Sequence, residues 1–63
     1  MEETLMALAK KIGEEEERIT EDLAMGRAEE YAQYMHACGI VRGFQLTQGI
    51  ISSMLRHMEE DDE

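Results

Sequence analysis

Few residues in this chain are of types that do chemistry, and their spacing decides what they can do. His36 and Cys38 stand two positions apart. On a helix that step turns the side chains to different faces, so the two cannot grip one metal ion. As a base and nucleophile they would also need an orienting group and oxyanion donors, and the pair offers neither. Cys38, set between apolar neighbours, reads as a small buried residue. His57 and Glu60 are three apart and share a face, which gives two ligands of a weak metal site without a third. The run Glu14 to Glu17 places carboxylates at i,i+3. General acid–base work needs a cleft that raises one pKa, and without one the run reads as a solvated face. Gly39, Gly43 and Gly49 are too widely spaced for a phosphate-cradling loop. Tyr31 and Tyr34 could stack on bases, but the charge near them is acidic, which opposes nucleic-acid binding. The expectation is a protein that is not an enzyme and has no cofactor, no catalytic residue and no metal ligand.

The elements that position these residues must come from a short, acidic chain. It has 63 residues, 15 Asp and Glu against 6 Lys and Arg, a formal charge of −9, one Cys, and no Pro or Trp. A chain of this size buries only about 60% of its unfolded surface, and ordering it costs roughly 1.5 kcal/mol per residue. With neither disulfide nor metal, self-association or a partner is the expected remedy. The counts exclude a multidomain enzyme, a secreted disulfide scaffold and a basic nucleic-acid binder. A single Cys without a mate points to a reducing compartment. Met1 is followed by Glu2 and Glu3, the wrong charge for the start of a signal peptide. The longest uncharged stretch, Gly43 to Leu55, is 13 residues long and holds two Gln, a Thr and two Ser. That is too short and too polar to span a bilayer.

The periodicity predicts an all-α, two-helix antiparallel hairpin: a helix over about 2–25, a turn at Gly26, and a helix over about 28–60. In the first, Leu5, Leu8, Ile12, Ile19 and Leu23 approximate a heptad seam, with a polar turn around Glu15 and Glu16. Glu14 faces Arg18 at i,i+4, the favourable order. Gly13 lowers helix propensity by about 1 kcal/mol relative to Ala; it reads as tolerated, or as a point of close approach. Gly26 suits a helix C′ position because it accepts φ > 0. Glu29 and Glu30 then fall where the first turn of a new helix favours acids. The competing reading is one unbroken helix.

The second helix is unusual. From Tyr31 to Met58, 28 residues, there is no Asp or Glu. Tyr31, Tyr34, Met35, Cys38, Val41 and Phe44 form one stripe; Ile40, Phe44, Ile51, Leu55 and Met58 form another. One antiparallel neighbour cannot cover both. Gly39 and Gly43, four apart, share a face and would admit a second helix at close range; a break near Gly39 is the alternative. If the helices pair from Gly26, the second outruns the first by roughly eight residues at about 1.5 Å each. That overhang would expose Met54, Leu55 and Met58, an adhesive end with adaptable methionines. The expected interaction residues are therefore Tyr31, Tyr34, Gly39, Gly43, Phe44, Ile51, Met54, Leu55 and Met58. Residues 1–58 would form the hairpin domain and 59–63 a solvated acidic tail, frayed because the helix C-terminus disfavours negative charge.

The residues from Arg27-Ala28-Glu29-Glu30-Tyr31-Ala32-Gln33-Tyr34 through Cys38-Gly39-Ile40-Val41-Arg42-Gly43-Phe44, with Met58 and the acidic end, resemble short open reading frames of tailed, podovirus-like bacteriophages. The resemblance spans residues 19–63. Such frames often sit beside head and portal genes. The resemblance implies a virion or assembly role, in the particle or the host cytoplasm, and carries no activity with it.

Two functions follow as expectations. One is a small structural or assembly protein of a phage particle, packing its helices against itself as a homo-oligomer or against a larger phage structural protein, away from membranes and without direct nucleic-acid binding. The other is an acidic inhibitor that mimics nucleic acid toward a host protein. Ten of the fifteen acids lie before Tyr31, whereas a duplex mimic would spread them along its length.

Overall fold

A computed structural model of the chain describes residues 1–61 and shows two helices, α1 over Glu2–Ala24 and α2 over Tyr31–Asp61. In α1, Glu2 and Glu3 occupy the first turn, where the helix dipole favours acids. The half-buried residues of α1 include Leu5, Ala9, Ile12, Glu16, Ile19 and Leu23, spaced alternately four and three apart. That is the a/d pattern of a helix with one partner. The same spacing runs through α2 at Ala37, Val41, Phe44, Gln48, Ile51, Leu55 and Met58, all half-buried except Ile51, which is fully buried. Two heptad seams joined by a short loop pack antiparallel, and the hairpin is all-helical, measuring 51 × 15 × 13 Å.

Gly26 closes α1 with φ +73°. Its N–H donates to the Leu23 carbonyl and the Arg27 N–H donates to the Asp22 carbonyl, both at 3.1 Å. These are the paired bonds of a Schellman turn, which needs a residue at ease with positive φ. The hairpin and its turn at Gly26 are as the sequence predicts, while the start of the second helix is not: it begins at Tyr31 rather than near 28. Glu29 and Glu30 precede the helix instead of filling its first turn. Gln33 sets the boundary. Its Oε1 accepts the N–H of Glu29 at 2.8 Å and of Glu30 at 3.4 Å, half of a capping box reaching back from the third helical position. At the other end α2 continues through Glu59 and Glu60 to Asp61, so the first acids of the tail are helical rather than frayed. Asp62 and Glu63 lie outside the described residues.

A polar contact fixes the register of the seam. Gln48 Nε2 donates to the Ala9 carbonyl oxygen at 2.7 Å. In a helix, the side chain four residues later shields a carbonyl; here that residue is Gly13. A Cβ placed on Gly13 would lie 3.6 Å from Gln48 Nε2. That is an ordinary contact distance, so Gly13 faces the Gln48 amide as a tolerated glycine rather than as a close approach of another backbone. Leu8 is 49% exposed, and the smaller Ala9 takes the seam position expected of it.

Arg18 also pairs differently from the expectation. Its Nε and Nη2 reach Glu15 Oε2 at 3.0 and 2.9 Å, and Nη1 lies 3.9 Å from Asp22. Glu15 and Asp22 flank it on one side of α1, and together they hold it away from Glu14. Such exposed pairs contribute little to stability.

The core is thin. Ile51, at 4% exposure, is the one fully buried apolar residue among those described. The accessible surface is 5188 Å², against about 4,100 Å² for a compact monomer of this mass.

Candidate functional site

Opposite and beside the seam, α2 presents a second stripe. Gly39, Gly43, Leu46, Ile50 and Met54 recur at steps of four, three, four and four, which places them on one outward flank of the helix. Leu46 is 56% exposed, Ile50 61% and Met54 48%. Nothing lies within 4 Å of a Cβ built on Gly39 or Gly43, so both glycines are open notches in this flank. The close helix contact expected at these glycines is not made within the chain. Thr47, beside them, donates its hydroxyl to the Gly43 carbonyl at 2.8 Å, which satisfies that donor within the helix. The stripe is therefore apolar, uncharged and smooth on one half, bulky on the other. Leu46, Ile50 and Met54 are each already about half-covered, so covering the remainder would recover roughly 1 kcal/mol each.

The nine residues expected to mediate interaction divide three ways. Gly39, Gly43 and Met54 belong to this exposed flank. Tyr31 and Tyr34 are exposed near the turn end of α2. Phe44, Ile51, Leu55 and Met58 belong to the internal seam. The overhang is accordingly shorter than expected. The Gln48–Ala9 bond brings the start of α1 level with Leu55, so Leu55 serves the seam as a half-buried residue, Met58 lies one turn beyond α1 and is half-buried there, and Met54 is exposed because it points sideways. Leu46 and Ile50 complete the flank and were not among the expected residues. The signal that finds them is a second heptad phase in α2, at 39, 43, 46 and 50.

An open groove of about 410 Å³ lies near the turn, lined by Arg18, Asp22, Leu23, Arg27, His36 and Ile40 among others. Asp22 engages both arginines, with Arg27 Nη1 at 3.5 Å, which leaves no concentrated positive charge there. His57 Nδ1 lies 3.7 Å from Glu60 Oε2. Among the described residues no three His, Cys, Asp or Glu side chains gather as a metal site. Cys38 is half-buried rather than buried. Tyr34, one turn before it, titrates above its ordinary 10.0, first through hydrogen bonding with the Cys38 thiol and then through that thiol's charge.

The acidic residues lie on α1, in the loop before Tyr31 and at the far end of α2 from Glu59 onward. Glu14, Glu17 and Glu21 are exposed on the side of α1 away from the seam, while the flank of α2 has none. No described helix is long and apolar enough to cross a membrane. In comparisons with known proteins, no family model, no curated protein and no solved structure matches the chain.

Proposed function

We propose that the chain is a small, non-enzymatic structural or assembly protein that works by helix packing through the uncharged flank of α2. The observation that carries this reading is the exposed run Gly39, Gly43, Leu46, Ile50 and Met54 on a chain whose own core holds little more than one seam. Monomers rarely leave such a continuous apolar stripe in water without using it. The resemblance of residues 19–63 to short phage frames supports setting that role in a bacteriophage particle or its assembly in the host cytoplasm, with a larger virion protein or a second copy as partner.

The test is the protein content of purified particles and assembly intermediates of the phage encoding the chain. Peptides of this chain are expected in one or the other, and their absence from both removes the virion role. One observation favours a second reading: the exposed Glu14, Glu17 and Glu21 on α1 would serve an acidic inhibitor that presents carboxylates to a basic host protein.

A further inference from the structure

We propose that the occupant of the α2 flank is a second copy of this chain, packed α2 against α2 in antiparallel fashion about a two-fold axis beside Leu46 and Thr47. The inference rests on the reading of this flank as the interaction surface and names its partner. Three observations carry it.

The first is area. The hairpin exposes 5188 Å², which exceeds the compact-monomer value by about 1,000 Å². A standard interface covers about 800 Å² on each partner. Part of the excess comes from the elongated shape, 51 Å by 15 Å, and an elongated molecule with a flat flank is the shape that side-by-side pairing compacts.

The second is shape. In an antiparallel pair centred between residues 46 and 47, Gly43 lies level with Ile50 of the second copy and Gly39 with its Met54. Each open notch meets one of the two bulky side chains, and the two-fold repeats both contacts. Leu46 meets its own counterpart at the axis. A parallel pair would instead set glycine beside glycine and Ile50 beside Ile50, leaving gaps at one end and crowding at the other.

The third is charge. Each copy carries −9, so most faces repel. The flank has no Asp or Glu from Tyr31 to Met58, and the exposed carboxylates of Glu14, Glu17 and Glu21 point from the outer side of α1. This is the side on which two acidic chains can meet with least repulsion, and added salt strengthens the pairing by screening the rest.

Cysteine cross-linking of the full chain, in a Cys38→Ser background, tests the arrangement. Leu46→Cys is expected to form a disulfide-linked dimer on oxidation. Ile50→Cys is expected not to, because its counterpart lies seven residues along the paired helix, about 10 Å away, beyond the reach of a disulfide. Cross-linking of both variants would establish a parallel pair and overturn the arrangement. Native mass measurement of the unmodified chain supplies the second arm, with Ile50→Glu weakening dimerisation by tenfold or more, to about the extent expected for a charge buried at the centre of an interface. Ile50 is outside the seam, so circular dichroism of that variant should still report a helical hairpin. A monomer at every concentration, with Ile50→Glu nonetheless lost from the particle, overturns the second copy and keeps the flank for a larger protein. A monomer whose Ile50→Glu variant still enters the particle overturns both.

Discussion

The side-chain amide of Gln48 donates a 2.7 Å hydrogen bond to the backbone carbonyl of Ala9 across the seam. A polar group on a seam that continues along α2 through Phe44 and Ile51 costs stability if unpaired and specifies alignment if paired. Shifting either helix by one turn would leave this amide without its acceptor. Gln48→Ala should lower the stability of the hairpin by about 1–2 kcal/mol, since it removes both the bond and the packing of the side-chain stem. Thermal unfolding followed by circular dichroism checks this, and an unchanged melting temperature would show that the bond does not hold the register.

Gly13 responds in a graded way. A methyl group at this position meets Gln48 Nε2 at an ordinary contact distance of 3.6 Å, and Ala raises helix propensity by up to about 1 kcal/mol. Gly13→Ala should therefore be neutral or slightly stabilising. Gly13→Leu should displace the amide and destabilise. Equal melting temperatures for the two variants would show that Gln48 does not need the space.

At the turn, Gly26→Ala places a Cβ in a backbone with φ +73°. The expected loss is about 1 kcal/mol. Gln33→Ala, which strips the Glu29 and Glu30 N–H groups of their acceptor, should cost a similar amount. Denaturant unfolding of the two single variants and the double variant would show both, and near-additivity is expected because the turn bonds and the cap share no atoms.

How much of this was legible in the sequence depended on which physical signal was local. The turn at Gly26 was readable because positive φ has a residue-type signature. The start of α2 was not, because its cap is a glutamine in the third helical position, and Glu29-Glu30 imitated an acidic first turn. In α1 the larger Leu8 outranks Ala9 as a seam residue by hydrophobicity, yet the packed register puts Ala9 on the seam, where its carbonyl receives Gln48. The candidate surface was half readable. Gly39, Gly43 and Met54 stand out by type and spacing, whereas Leu46 and Ile50 share a second heptad phase in α2 that only the packed pair shows to be the exposed one.

Tyr34 offers a spectroscopic check on the local geometry of α2. Its pKa is raised above 10.0 through hydrogen bonding with Cys38 and the charge of its thiol. A raised folded-state value means the associated stabilisation is complete below the unfolded pKa and is lost as pH rises through the folded one. In a Tyr31→Phe background, absorbance titration of the phenolate should shift down toward 10 when Cys38 becomes Ala. An unmoved midpoint would place the thiol away from the hydroxyl.

Gly39→Ala and Gly43→Ala separate the stability of the hairpin from the proposed pairing. A Cβ on either glycine meets no described atom within 4 Å, so each substitution should make the isolated hairpin more helical by up to about 1 kcal/mol. The same methyl groups fill the notches and should weaken association. Opposite signs in the two measurements are the expected signature; association strengthened along with helicity would mean the notches stay empty in the assembly.

Whether the chain associates through the α2 flank as proposed, or through the acidic end, is decided by sedimentation equilibrium of three chains: the intact protein, one lacking residues 59–63, and Ile50→Glu. The intact and shortened chains are expected to associate alike, with the shortened chain equal or tighter because five negative charges are gone, and Ile50→Glu is expected to sediment as a monomer. Association that survives Ile50→Glu but disappears on removal of residues 59–63, with the same loss in high salt, would contradict pairing through the flank.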